Sequence, residues 1–173
     1  LSICTGGTGS LSVGVVDDGT LTYSWQRNGL TILDGGHYSG AKTATLTVSN
    51  AAEQDTGNYR CIITGGCVGS TTSNLAAVTL KTATTIIQQP LSQTAIRGSV
   101  AMLSVKAIGE GSLNYQWQKN DLHLSNSEHH SGTTTPTLTI SACHVNDIGA
   151  YRCMVTGGCG AVMSEPAILS LWQ

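Results

Sequence analysis

The 173-residue sequence predicts an all-β chain of two tandem antiparallel β-sandwiches. Three observations lead there. Residues 21–67 align with 113–159 without a gap, giving 23 identities in 47 positions at a spacing of 92 residues. Apolar and polar residues alternate through most segments, the two-residue period of strands with one buried face. Short Thr/Val/Leu runs lie between glycine-rich turns, Phe is absent, and no helical period outlasts one turn. The repeat spacing exceeds the ~20–50 residues of a solenoid unit and is the size of a small domain. The expected domains are 1–81 and 86–173, each large enough to bury roughly 60–65% of its unfolded surface.

The elements follow in order. Leu11, Val13 and Val15 share one strand face, and Leu21, Tyr23 and Trp25 share the next. Leu46/Val48, Tyr59/Cys61/Ile63 and Ala76/Val78/Leu80 complete the first copy. Leu103/Val105, Leu113/Tyr115/Trp117, Leu138/Ile140, Tyr151/Cys153/Val155 and Ala167/Leu169/Leu171 repeat the pattern. Gly65-Gly66 and Gly157-Gly158 are hairpin-turn signals between the last two strands. The join, 81–85, is short and β-branched and implies a restricted geometry between neighbours. Leu1 aligns with Gln93, so the counterpart of 86–92 is missing from domain 1 and the array is expected to continue upstream. The strand holding Leu11 to Val15 is then expected to have an open edge.

Eight Lys+Arg against ten Asp+Glu give a net charge of −2, without a basic patch for nucleic acid or a membrane surface. No apolar run reaches the ~18 residues of a bilayer span. Six Cys in a Thr/Ser-rich β chain point to an oxidising, extracellular setting.

The phrases Tyr23-Ser-Trp25 and Asp55-Thr-Gly57-Asn-Tyr59-Arg-Cys61 recur as Tyr115-Gln-Trp117 and Asp147-Ile-Gly149-Ala-Tyr151-Arg-Cys153. Together they resemble the immunoglobulin superfamily, I-set-like, over nearly the whole chain. The phrases at 38–41 and 89–93 resemble the tandem modules of bacterial surface and secreted proteins. The resemblance implies two Ig-like sandwiches with Trp25 and Trp117 in the core, packed against Val13/Cys61 and Val105/Cys153. Tyr59 and Tyr151 would make tyrosine corners. Asp55, Gly57, Asp147 and Gly149 would shape the turns that precede those strands.

The cysteines depart from the family. Val13 and Val105 stand where the core disulfide partner belongs, about twelve residues before the Trp. Cys61 and Cys153 are therefore expected as small buried apolar residues. By the family's strand order, Cys4 and Cys67 fall near one end of adjacent strands and are expected to form a disulfide. Ile96 stands in the place of Cys4 in the second copy, so Cys143 and Cys159 lack a partner there. Either both stay reduced, or one links to another chain or domain.

Candidate chemistry is sparse. His129 and His130, with His123 nearby, read as a polar surface loop, and His37 matches His129 as a shared turn residue. Asp17-Asp18-Gly19 reads as a turn, since it lacks the further carboxylates of a calcium loop. Gly6-Gly7-Thr8-Gly9 precedes no helix and is no phosphate cradle. No nucleophile–base constellation recurs in both copies. No catalytic, cofactor or metal residue is therefore assigned, and no enzyme activity is expected. The expectation is an extracellular structural or adhesive repeat of a larger fibre, filament or adhesin stalk. Its expected partners are proteins, whether neighbouring Ig domains or copies of itself, with Cys143 and Cys159 as possible contacts. The alternative is an accessory, carbohydrate-binding module of a secreted enzyme, for which Trp172 is the one available indole.

Overall fold

The structure, a computed structural model, describes residues 1–16, 19–65 and 69–172. The chain divides into two units, Leu1–Lys81 and Thr82–Gln173. The first contains β1 (Ser2–Cys4), β2 (Gly9–Ser12), β3 (Thr22–Arg27), β4 (Leu30–Thr31), β5 (Tyr38–Ser39), β6 (Thr45–Val48), β7 (Gly57–Gly65), β8 (Gly69–Thr72) and β9 (Ala76–Lys81). One sheet runs β1-β9-β7-β3-β4 with β8 also on β7; the facing sheet runs β2-β6-β5. In the second unit β10 (Thr85–Gln88), β11 (Gln93–Ile96), β12 (Ala101–Ser104) and β13 (Lys106–Ile108) are followed by β14 (Asn114–Lys119), β15 (Leu122–His123), β16 (His130–Ser131) and β17 (Thr137–Ile140). Next come β18 (Gly149–Gly157), β19 (Gly160–Met163) and β20 (Ala167–Trp172). Their sheets are β11-β20-β18-β14-β15 with β19 on β18, β12-β17-β16, and a β10-β13 pair.

The alternation seen in the sequence sets the faces. In β7, Tyr59, Cys61 and Ile63 turn inward, and in β18 Tyr151, Cys153 and Val155 do the same. Trp25 stands opposite Cys61 and Trp117 opposite Cys153, and both indoles are buried. Each indole Nε1 donates to a backbone carbonyl, Thr43 or Thr135, at 2.9 Å. A buried indole N–H thus has its partner. Gln26 and Gln118 accept from Arg60 Nε and Arg152 Nε across the same strand pair, at 2.9 and 3.0 Å. These contacts account for most of the repeated phrases.

Glycine is required between β5 and β6 in the first unit and between β16 and β17 in the second. Gly40 and Gly132 have φ +77° and +73°, and a Cβ there would sit 2.2 Å from the carbonyl oxygen of Thr45 or Thr137. The last strand of each sandwich breaks at a serine. Ser73 Oγ and Ser164 Oγ accept from the amides of Cys61 and Cys153, at 2.9 and 2.8 Å, and so satisfy the buried edge at the break.

The cysteines correct two expectations. Cys4 pairs in register with Lys81. Lys81 lies beyond the Gly57↔Val78 pair, while the hairpin closes at Gly65↔Gly69, the other end of β7. Cys4 therefore stands at the end of the sheet opposite the one expected for it. Cys4 is disulfide-bonded, but Cys67, its expected partner, lies outside the described residues. Cys159 is also disulfide-bonded, which removes the alternative in which both Cys143 and Cys159 stay reduced. Cys143 is a fully buried free thiol, its Sγ 3.6 Å from the Ile140 carbonyl. It replaces the buried Ala51 of the first unit and offers no contact to a neighbour. The reason is that its segment folds inward: the Gly98 amide donates to the Cys143 carbonyl and the Cys143 amide to the Ser99 carbonyl, both at 2.8 Å.

Cys61 and Cys153 are free and buried, and burial pushes the Cys153 thiol up to about 11. Thiolate, the reactive form, is then scarce at neutral pH. Alkylation of the native protein is expected to spare Cys61, Cys143 and Cys153, and to label all three after unfolding. Peptide mass mapping checks this, and rapid native labelling of Cys143 would contradict its enclosure.

Candidate functional site

The most built polar site in each unit surrounds one buried aspartate at the turn into the long strand. A 3-10 turn, Glu53–Asp55 or Val145–Asp147, delivers it. Tyr59 Oη and Tyr151 Oη donate to the Asp55 and Asp147 carbonyls at 2.6 and 2.8 Å, which is the tyrosine corner. Gly57 fits beneath Asn28, whose Oδ1 accepts from the Asn58 amide at 2.9 Å. Asn120 does the same for Ala150 at 3.0 Å. Asn28 and Asn120 have φ of 50° and 46°, the left-handed conformation that closes the β3–β4 and β14–β15 hairpins. The sequence signal for the first of these hairpins is Asn28-Gly29 between two strand patterns; the second carries Asn120-Asp121 there.

In the first unit the Asp55 carboxylate is fully engaged. It accepts from the Ala52 amide at 2.8 Å and from Tyr38 Oη at 2.8 Å, and His37 Nδ1 lies 2.6 Å away. Arg27 stands 3.9 Å off and donates to the Gln54 carbonyl. Burial alone would raise this carboxyl, but the bonds from His37, the Ala52 amide and Tyr38 outweigh it and hold it below the ordinary carboxylate range.

The second unit keeps the frame and changes the partners. Asp147 accepts from the His144 amide at 2.7 Å, and His129 Nε2 lies 2.8 Å from its Oδ1. His130 occupies the place of Tyr38, and its Nε2 is buried with no hydrogen-bond partner. His144 occupies the place of Ala52 and its ring stacks on His129 at 4.7 Å. Lys119 occupies the place of Arg27, and its Nζ donates to the Asn146 carbonyl as Arg27 does to the equivalent Gln54. Here too burial alone would raise the Asp147 carboxyl, and the His144 amide and His129 bonds, with the charges of His129 and His144, bring it below the ordinary range. Burial lowers the His130 imidazole, and His129 beside it adds to that.

Sequence reasoning set His123 beside His129 and His130. The structure places His123 on β15, paired with Gln118. The group that forms instead is His129, His130 and Asp147. Asp147, and His144 packed beside the group, escaped sequence reasoning because the turn that brings them there lies 14 or more residues downstream of His130. Asp17 and Asp18, read as a plain turn, lie outside the described residues. Trp172 is exposed and the other two indoles are buried. Among the described residues no helix is long and apolar enough to cross a membrane.

With this geometry stand the comparisons. A family model described as "Immunoglobulin I-set domain" matches residues 84–168, and one described as "Immunoglobulin domain" matches 2–64. Both units are immunoglobulin-superfamily domains. Mouse hemicentin-2 is 30% identical over 139 residues, covering 79% of this chain and 3% of that protein. Mouse protein sidekick-2 is 30% identical over 162 residues, covering 91% of this chain and 7% of that protein. The chain spans between 2% and 12% of the length of the curated relatives it matches. Among solved structures, the titin I-band fragment I67–I69 superposes with TM-score 0.73 at 20% identity, covering 99% of this chain and 62% of that one. That likeness shows the tandem Ig fold. The relatives are animal proteins, so the bacterial affiliation suggested by the phrases at 38–41 and 89–93 is not borne out.

The depressed Asp55 pKa has a consequence for acid stability. Because its folded value lies below the unfolded one, its contribution is fully present above about pH 4 and is lost as pH falls through the folded value. Asp55→Asn is expected to cost about 2–3 kcal/mol at pH 7, where charged hydrogen bonds are lost. It is expected to flatten the acid limb of stability below about pH 4. Urea titrations from pH 7 to pH 2 check both, and an unchanged acid limb would remove Asp55 from the account.

Proposed function

We propose that this chain is a non-catalytic structural and adhesive segment of a larger extracellular or cell-surface protein. It works through protein–protein contacts, with neighbouring Ig domains or further copies as partners. The observation that carries this reading is the likeness of most of the chain to hemicentin-2 and sidekick-2. Disulfide bonding at Cys4 and Cys159 supports an oxidising compartment. The contact surface has physical candidates within each unit. Among the described residues β2 is the edge of its three-stranded sheet, paired with β6 alone, and an unpaired edge accepts an added strand. In the second unit Val145, Ile148 and Trp172 are exposed around one shallow depression with Arg97. Their apolar area is what a protein partner would cover.

Use as a fibre or stalk repeat is the finer form of this proposal. Light scattering across a concentration series is expected to show reversible self-association, and beads coated with the chain are expected to cluster. A strictly monomeric chain on beads that stay dispersed would leave only a spacer role. The carbohydrate-binding alternative rests on Trp172 alone, and a glycan array that shows no binding would retire it.

A further inference from the structure

We propose that the second unit binds one divalent transition-metal ion of the zinc class through His129, His130 and Asp147. One ring nitrogen of each histidine and a carboxylate oxygen of Asp147 all lie within 4.8 Å of one another. Imidazole and carboxylate are the donors that zinc takes, and three protein ligands leave a fourth position for solvent. Asp147 is almost fully buried while His129 is about a quarter exposed, so an ion reaches the group from the His129 side.

The orphan nitrogen of His130 points to a ligand. A buried polar atom without a partner is costly, and such atoms in native structures call for an explanation. The first unit offers a built-in comparison on the same backbone frame. There Tyr38 fills the position, and its hydroxyl bonds Asp55 Oδ1 at 2.8 Å and lies 3.1 Å from Tyr59 Oη. The fold therefore does not require an imidazole at this place. His144 is also absent from the first unit, where Ala52 stands.

His129 meets His130 edge-on at 4.7 Å and stacks on His144 at 4.7 Å, so the three rings form one packed cluster beside Asp147. His144 acts as a positioning residue. Its amide holds Asp147 Oδ2 at 2.7 Å, its Nδ1 accepts from the Asn146 amide at 3.2 Å, and its ring fixes the plane of His129. Such support around a ligand set orients the donors. His129 Nε2 lies 2.8 Å from Asp147 Oδ1, and an ion bound here would take the lone pair of one ring nitrogen of each imidazole.

The test uses the full chain, stripped with a chelator and titrated with Co2+ and then Zn2+. One saturable Co2+ per chain is expected, with visible absorption of nitrogen/oxygen ligation and no thiolate charge-transfer band. Zn2+ is expected to displace it and to raise the thermal midpoint. His130→Tyr, which copies the first unit, is expected to weaken binding at least tenfold with an unchanged far-UV spectrum. Carbethoxylation of the unsubstituted chain gives a second measurement, with Zn2+ expected to protect His129 and His130. Binding unaltered in H130Y, a thiolate band, or the absence of both saturable uptake and histidine protection would overturn the proposal.

Discussion

Each sandwich depends on a buried carboxylate that ties its two sheets together. Asp55 sits at the entry to β7, in one sheet, while Tyr38 lies on β5 of the facing sheet with His37 just before it. A charge nine-tenths or more enclosed is tolerable only when its lone pairs are occupied, and removing one partner leaves it stranded. The carboxylate therefore fixes three things at once: the short turn, the start of the long strand and the far sheet's edge strand. The tyrosine corner closes the same turn from inside. Its hydroxyl takes the aspartate's backbone oxygen, so the side chain and main chain of one residue hold opposite neighbours.

This arrangement explains how the domains manage without the disulfide that usually joins such sheets. Cys61 and Cys153 face Trp25 and Trp117 across a strand pair and remain thiols. A bridge closing a loop of roughly fifty residues would have added about 4 kcal/mol by constraining the unfolded chain. Packing replaces part of it. Val13 and Val105 gather with the indole and the thiol in each core, and a buried thiol behaves there as a small apolar group. The cross-sheet connection passes instead to the aspartate cluster, whose strength depends on protonation where a covalent bond's would not.

Much of this was legible in the residues. The alternation in Tyr59, Cys61 and Ile63 allowed only one inward face, and a one-residue slip would have exposed the tyrosine and the thiol together. The repeat made every such assignment twice. What stayed hidden depended on register between distant segments. Cys4 looked close to the hairpin tip because strand order alone does not say how far β1 slides along β9; the Cys4↔Lys81 pairing places it at the other end. Cys143 looked like a turn residue open to a neighbour because a turn signal carries no information about which way the segment folds. His144 was invisible for the same reason. Its three-residue offset from Asp147 means little until the 3-10 turn brings its ring under His129.

The two units amount to a substitution experiment on one backbone. Between them the aspartate, the corner tyrosine, the first histidine and the glycine at +77° or +73° are held fixed, so the turn geometry is too. Arg27, Tyr38 and Ala52 become Lys119, His130 and His144. In the first unit those positions close a hydrogen-bond network with nothing left over. In the second the cation keeps the equivalent carbonyl, that of Asn146, but has no tyrosine hydroxyl to donate to, and an imidazole nitrogen is left without a partner. The fold is indifferent to the exchange, since the strands on either side of this turn form in both. What differs is the chemistry available at the turn. New properties can therefore enter such a chain at strand ends, one repeat at a time, without disturbing the sandwich that carries them.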